Sequence, residues 1–169
     1  MNEEYEIKNR VADSGLMNFD ISELLPKGQR TGIDLKDFLY EGLILKEKDF
    51  REKIKNLEVQ KYQGHFVYIY NSADAIVPLW AYFLLTSKLA EAAQKVVYGD
   101  QQQLEVLLMH DALRDYNFEA FRDKRVLVKG CSDNTIPENA YVELVEILRP
   151  IVKALMFGEA CSNVPILKN

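Results

Sequence analysis

The sequence predicts an α/β fold in which helices cover a mixed, mostly parallel sheet. Three short runs, at residues 65–70, 95–99 and 125–130, are apolar on both faces and rich in β-branched and aromatic residues. Strands of this kind are typical of parallel sheets that helices cover on both sides. Helical patterns separate the three runs, so the order of elements is β-α-β-α-β-α. At 169 residues, the chain is expected to form a single-domain sandwich.

The first part of the predicted domain, residues 1–60, is less regular. We predict strands at 16–21 and 31–35, which flank a turn at 26–28. A short helix at 36–42, a strand at 43–47 and an amphipathic helix at 48–57 follow. Some of these strands are expected to pair antiparallel at one edge, which makes the sheet mixed.

The second part, residues 61–158, carries the parallel β-α-β units. Helical periodicity predicts helices at 74–93, 101–116 and about 136–157, the last ending at Gly158 as a C-terminal glycine. Pro150 is expected to kink or break this last helix near Arg149. The third part, residues 159–169, reads as a strand or extended tail that packs on a neighbour, including the other subunit of a homodimer. We find no internal repeat at the spacing of repeat proteins.

Composition excludes several classes of partner. A net charge of −5 and a pI near 5.2 argue against nucleic acid and against an anionic membrane surface. The N-terminal residues lack the layout of a signal peptide, and the longest apolar run, 75–85, is shorter than the ~20 residues of a membrane span. Two cysteines fit a reducing cytoplasm and no disulfide framework.

Polar loops follow the three apolar strands. Ligands of parallel α/β sheets bind outside the carboxyl ends of the strands, where helix N-termini converge. If the strands are neighbours, the loops at 71–74, 99–100 and 130–134 form one rim that suits a small polar or phosphorylated ligand. Its candidate ligand-binding residues are Ser72, Asp74, Asp100, Gly130, Ser132 and Asp133.

Helix capping is the alternative role of these polar residues. Asp100 with Gln103, and Thr135 with Glu138, have the spacing of capping boxes. Asp74 or Ser72 is expected to cap the helix that runs to residue 93. No G-x-G-x-x-G motif supports a dinucleotide.

Capping does not account for Cys131, the candidate reactive residue. It follows a predicted strand, precedes a helix N-terminus whose field favours thiolate, and lies close to Lys129. Neither a C-x5-R phosphatase motif nor a C-x-x-C motif is present, and His65 and His110 are not near it in the predicted topology. A structurally inert cysteine is the alternative.

The second cysteine, Cys161, lies beyond the last predicted helix. A straight helix of about 22 residues is about 33 Å long and would carry Cys161 far from Cys131. A sharp break at Pro150 would bring the two together. We predict no metal site, although the two thiols form a weak possibility that needs further ligands.

Two resemblances follow from the order of elements and from short motifs. The layout of residues 42–113 is similar to the STAS domain, and the βαβ order to Rossmann-like folds, without the phosphoswitch motif or the dinucleotide fingerprint. The segments "NRVADSGL", "LILKEKDFRE", "SADAIVPLWAY", "VVYGD", "VKGCS" and "MFGEACSNVP" resemble an uncharacterised bacterial family, domain-of-unknown-function family 2480. The family carries proline where this chain has Ala160. The resemblance implies a protein partner in iron–sulfur assembly, because genes of the family lie near sulfur-mobilisation genes.

Three functions remain open at this point. The first is a cytoplasmic accessory or binding protein that handles thiols, sulfur or iron–sulfur groups through Cys131. The second is an enzyme that acts on a small ligand at the rim. The third is a structural or interaction module whose tail docks on a partner.

Overall fold

The computed structural model describes residues 15–130, 135–159 and 161–169. These residues form four α-helices and seven strands, which confirms the α/β class. The strands are β1 (Leu16–Asp20), β2 (Arg30–Asp34), β3 (Phe66–Tyr70), β4 (Lys95–Tyr98), β5 (Arg125–Lys129), β6 (Ala154–Glu159) and β7 (Ser162–Lys168). The helices are α1 (Glu47–Lys55), α2 (Leu79–Leu89), α3 (Gln101–Asp115) and α4 (Glu138–Leu148).

The strands form two sheets rather than the one that the sequence predicts. One sheet has the order β1-β5-β6-β7 and the other the order β2-β3-β4. All neighbours run parallel except β6 and β7, which are antiparallel. The condition for a single rim is therefore met only in part, because β3 and β4 are neighbours but β5 pairs with β1 and β6 in the other sheet. The antiparallel pair also lies at the C-terminal end of the chain and not among the N-terminal strands.

The chain divides into two compact units that match the two sheets. The first unit comprises the described part of Met1–Leu25 together with Leu108–Asn169, and the second comprises Pro26–Leu107. The second unit is thus inserted between β1 and the rest of the first. The single-domain organisation with internal limits near 60 and 158 stays a prediction.

The N-terminal elements agree with the sequence except at residues 43–47. Strands β1 and β2 and helix α1 are where they are expected, and the predicted short helix is a 3-10 turn at Leu35–Phe38. The predicted strand at 43–47 is wrong. Leu43 and Ile44 lie exposed in a tight reversal in which the Tyr40 amide donates to the Ile44 carbonyl, and Glu47 already begins α1.

The predicted helix at 136–157 is half its expected length. Helix α4 ends at Leu148, two residues before Pro150, and the chain returns as strand β6. Gly158 lies within β6 at a φ of +121°, where a Cβ atom would lie 2.7 Å from the Ser162 carbonyl of β7. It therefore serves strand pairing and not a helix C-terminus. Among the described residues, no helix has the length and apolar character that a membrane crossing needs.

The two units repeat one arrangement of elements, which we did not find in the sequence. Adding 59 to the residue numbers of β3, α2 and β4 gives β5, α4 and the first four residues of β6. The same step takes the 3-10 turn at Val59–Tyr62 to the one at Phe118–Phe121. Adding 14 to the numbers of β1 and the turn Ile21–Leu24 gives β2 and Leu35–Phe38.

The cores of the two units correspond residue by residue. Each of the nine buried side chains at the centre of the second unit has a buried counterpart at the expected position of the first. The pairs are Ile33 and Phe19, Leu35 and Ile21, Phe50 and Met109, Ile54 and Leu113, Val67 and Val126, Ile69 and Val128, Ala81 and Ala140, Leu85 and Leu144, Leu89 and Leu148. The units are therefore two versions of one βαβ structure, and a feature of one can be compared with its counterpart in the other.

Candidate functional site

The carboxyl edge of the three-stranded sheet carries a hydrogen-bonded pair, Asp34 and Ser72. Asp34 ends β2, and Ser72 follows the neighbouring strand β3. The Ser72 hydroxyl donates to Asp34 Oδ2 over 2.5 Å, and its amide donates to Oδ1 over 3.1 Å. Partial burial opposes ionisation, but the Ser72 and Lys36 hydrogen bonds prevail and hold the pKa of Asp34 below its usual value. The pair ties β2 to the loop after β3.

The other predicted residues of this edge have separate roles. The Asp100 carboxylate accepts a hydrogen bond from the backbone N–H of Gln103 over 2.8 Å and so caps α3, as the spacing of the two residues predicts. Asp74 is exposed. Neither Asp74 nor Ser72 caps α2, because that helix begins after Pro78 and has no side-chain cap. Ligand binding by Ser72, Asp74 and Asp100 stays a prediction.

The carboxyl edge of the four-stranded sheet has an equivalent carboxylate, Asp20, which ends β1 as Asp34 ends β2. The hydroxyl and amide of Ser22 donate to Asp20 Oδ1 over 2.6 and 3.0 Å. These bonds lower the pKa of Asp20, and Lys129, its partner in the register of β1 and β5, adds a favourable charge. The sequence analysis did not select Asp20. The available signal was that an aspartate followed by an apolar residue joins a strand to a 3-10 turn twice, at 20–21 and at 34–35.

The predicted residues Cys131, Ser132 and Asp133 lie outside the described residues. Gly130, the last described residue before them, follows β5, and a Cβ atom added to it would lie 3.1 Å from the Phe157 ring of β6. Cys161 is exposed in the turn between β6 and β7. Strands β5 and β6 are parallel neighbours, and Val128 pairs with Phe157. Both strands therefore end at the same edge of the sheet, β5 shortly before Cys131 in the sequence and β6 shortly before Cys161.

The repeat relates the two edges position by position. The step of 59 residues that joins the units makes Cys131 the counterpart of Ser72 and Asp133 the counterpart of Asp74. The step of 14 residues makes Asp20 the counterpart of Asp34. In the sequence repeat, a cysteine of the first unit therefore stands at the position of Ser72, whose hydroxyl donates to the strand-end carboxylate in the second unit.

A charged cluster between α3 and α4 was also missed in the sequence. Glu143 on α4 is 9% exposed and accepts hydrogen bonds from His110 Nδ1 over 2.9–3.0 Å and from Arg114 Nε over 3.3 Å. Its counterpart in the second unit is Leu84. An acidic residue beside an apolar helical stripe was the available signal. Because both basic side chains are exposed, the cluster is explained as a buried carboxylate with its partners.

Helix α4 begins without the capping box that Thr135 and Glu138 suggest. Pro137 is the N-cap residue, with the extended angles φ −66° and ψ 144°, and no side chain caps the helix. Pro78 holds the same position before α2, with φ −65° and ψ 146°. Proline fixes its own φ and disfavours helical backbone angles in the residue before it. Each of these two helices therefore cannot extend further towards the N-terminus than its proline.

Within the described ranges, no group of three or more histidine, cysteine or acidic side chains is placed to hold a metal ion. A cleft of about 690 Å³ lies in the second unit between α1 and two 3-10 turns. Acidic and basic side chains alternate around it, including Asp49, Glu52, Lys53 and Lys61. None of the predicted site residues lines it.

Comparisons with known proteins identify a family but no characterised relative. A search of the curated proteins and a search of the solved structures each found no match. The model of one protein family matches residues 5–169, almost the whole chain. The chain therefore belongs to the family described as "Protein of unknown function (DUF2480)".

Proposed function

We propose that the protein is a thiol-handling accessory protein whose reactive group is Cys131 and whose second thiol is Cys161. The observation that carries the proposal is the parallel pairing of β5 and β6, with Val128 beside Phe157. Neighbouring strands lie about 4.8 Å apart, and the Cα atoms of a disulfide lie about 4.4–6.8 Å apart. Cys131 comes directly after Gly130, and Cys161 comes two residues after Glu159, the end of β6.

The charges at this edge support a role for Asp20. In the second unit the Ser72 hydroxyl donates to Asp34. We infer that the Cys131 thiol donates a hydrogen bond to Asp20 in the same way, so that the carboxylate orients the thiol. Lys129 favours the ionised form of Asp20. Asp20 is then a positioning residue, and its effect is separable from that of the thiols.

The reaction we propose is exchange with a small disulfide such as oxidised glutathione. The Cys131 thiolate attacks one sulfur, forms a mixed disulfide and releases one small thiol. The Cys161 thiolate then attacks the Cys131 sulfur, forms the internal disulfide and releases the second small thiol. The two cysteine sulfurs are oxidised, the small disulfide is reduced, and the two cysteine protons leave on the released thiols. A reducing compartment such as the cytoplasm restores the dithiol.

Sulfur and iron–sulfur handling are the forms of this function that the family resemblance favours. Thiolates are the protein ligands of iron–sulfur clusters, and they are the nucleophiles of sulfur exchange. The partner would be another thiol-bearing protein that meets the exposed turn at Cys161.

Intact-protein mass spectrometry after incubation with oxidised glutathione tests the proposal. We expect the wild-type chain to lose the mass of two hydrogen atoms, because the internal disulfide resolves the adduct. Cys161→Ser should stop at one glutathione adduct on Cys131. A wild-type chain that collects two adducts, or none, would show that the thiols do not act together.

The role of Asp20 has a matched control in the other unit. Asp20→Asn keeps a residue that caps the 3-10 turn but removes the charge. We expect it to move the pH profile of Cys131 adduct formation to lower pH, because an ionised carboxylate beside the thiol opposes formation of the thiolate. Asp34→Asn, at the counterpart carboxylate, should leave this profile unchanged. Equal effects of both variants would contradict the assignment.

A further inference from the structure

The outer edge of β4 in the second unit differs from its counterpart in the first unit, the outer edge of β6, which β7 covers. In the first unit, β6 pairs with β5 on one side and with antiparallel β7 on the other. Among the described strands, β4 has a neighbour on one side only, β3. The repeat therefore shows that an edge of this design accepts an antiparallel strand.

Exposed apolar side chains lie on α2 and at the end of β4. Leu79 and Phe83 lie one turn apart on α2 and are each 76% exposed, and Tyr98 at the end of β4 is 64% exposed. Tyr82, on the same helix, packs edge-to-face on Tyr98 with ring centroids 5.3 Å apart. Exposed apolar patches that adjoin an unpaired strand mark sites of association.

The counterpart surface in the first unit shows what such a patch receives. Tyr141 packs edge-to-face on Phe157 at 5.8 Å, as Tyr82 packs on Tyr98. There, Ile166 of β7 joins Tyr141, Val145 and Phe157 around a small apolar cavity of about 80 Å³. No described residue of the second unit takes the place of Ile166 in the repeat, because β7 follows the last element that the units share.

We propose that a second copy of this chain covers the β4 edge, with the two β4 strands antiparallel across a twofold axis. The register centred on Val97 sets Val97 opposite Val97 of the second copy and Val96 opposite Tyr98. Aromatic residues and β-branched residues are favourable cross-strand pairs. Lys95 then lies opposite Gly99, so no like charges meet. The result is a six-stranded sheet in which both α2 helices lie on one face and bury Leu79 and Phe83.

A second copy fits this edge better than an unrelated strand for two reasons. A twofold axis perpendicular to a sheet requires a residue to face itself, and the sequence places a small β-branched residue, Val97, at the centre. The described tail strand already uses one edge to pair with β6 and carries Pro165, which cannot donate a ladder hydrogen bond. Pairing of the tail across a homodimer stays a separate prediction, and the interface proposed here is a different one.

Mass measurement by light scattering on the full chain in the micromolar range tests the interface. We expect a dimer for the wild type and a monomer for Phe83→Asp, since a carboxylate would be buried in the apolar contact. Val142→Asp is the matched control, because Val142 is the counterpart of Phe83 and is 62% exposed. It should remain a dimer.

Cross-linking tests the register independently of stability. In a Cys131→Ser, Cys161→Ser background, Val97→Cys should form a disulfide-linked dimer on mild oxidation, because the two introduced thiols face each other. Met156→Cys, at the counterpart position of β6, should not. A monomeric wild type, a dimer that survives Phe83→Asp, or equal cross-linking at both positions would overturn the proposal. A dimer lost only on deletion of residues 162–169 would assign the interface to the tail, and would also overturn it.

Discussion

At the scale of residues, the strand-end carboxylates Asp34 and Asp20 are fixed by hydroxyl and amide donors. The sequence predicts Ser72 but not its partner, because the bond joins the end of β2 to the loop after β3, and the pairing of these strands is a long-range property. It predicts the cap at Asp100, since that bond joins residues three apart. Short sequence patterns thus predict hydrogen bonds between residues that are close in the chain. The contacts at the carboxyl edges of the sheets join distant residues, so they depend on the strand order.

The Asp34 carboxylate should make stability depend on acid pH. Its pKa in the folded chain lies below the usual 3.8, so its contribution is complete above 3.8 and is lost as pH falls through the lower folded pKa. We expect Ser72→Ala to move the acid unfolding midpoint to higher pH. Asp74→Asn, at an exposed carboxylate of the same loop, should leave it unchanged. Acid titration followed by circular dichroism measures both, and equal midpoints for Ser72→Ala and wild type would contradict the role.

Gly158 should be less tolerant of alanine than Gly64. Both have positive φ, but a Cβ atom at Gly158 meets the Ser162 carbonyl at 2.7 Å, whereas nothing lies within 4 Å of one at Gly64. Strained backbone costs about 1–3 kcal/mol, and the clash at Gly158 adds to that cost. Chemical denaturation should give a larger loss of unfolding free energy for Gly158→Ala than for Gly64→Ala. A larger loss for Gly64→Ala would contradict the prediction, because it would mean that β6 and β7 can move apart around the added Cβ atom with little loss of unfolding free energy.

Glu143 should be replaceable, because its partners reach solvent. The side chains of His110 and Arg114 are 43% and 68% exposed. If the carboxylate is removed, neither basic group is therefore left buried without a partner. The counterpart residue, Leu84, shows that the site accepts an apolar side chain. We expect Glu143→Leu to change the unfolding free energy by less than about 1 kcal/mol or to increase it. A loss of several kcal/mol would show that the pairs with His110 and Arg114 stabilise the α3–α4 contact.

At the scale of elements, periodicity predicted most strands and helices but not their ends or partners. The runs at 65–70, 95–99 and 125–130 are strands because both of their faces are apolar, and that signal is local. It does not distinguish one sheet from two, because the strands of both sheets have the same pattern. The exposed Leu43 and Ile44 misled the prediction at 43–47, since hydrophobic residues in a reversal resemble a short strand.

The sequence attributes the end of the last helix to Pro150, but the repeat indicates another cause. Helix α2 ends at Leu89, the counterpart of Leu148, and residue 91 at the position of Pro150 is a glutamate. The next strand must start six residues later in both units, so sheet pairing limits each helix. We therefore expect Pro150→Ala to keep the helix content seen by circular dichroism and to cost no more than about 1 kcal/mol. A rise in helix content would show that proline is the stop.

At the scale of the whole molecule, the step of 59 residues that relates β3, α2 and β4 to β5, α4 and β6 is the pattern that an internal duplication leaves. Identity between the halves is confined to scattered positions, among them Pro78 and Pro137, Tyr82 and Tyr141, and Gly99 and Gly158. These are helix boundaries, packed aromatics and positive-φ sites, which are the positions where the shared fold limits the choice of residue. A search for longer identical segments misses such a repeat.

The insertion of one unit into the other predicts which fragments of the chain fold. Residues 26–107 contain the complete three-stranded sheet and all nine side chains of its central core. We expect this fragment to unfold cooperatively, with modest stability because a chain of about 80 residues buries a small core. Residues 108–169 lack β1, and with it Phe19 and Ile21, so they should show no cooperative transition. Adding a peptide that contains β1 should restore one. If the inserted fragment instead melts without cooperativity while residues 108–169 fold alone, β1 is dispensable and the division of the core into two units is wrong.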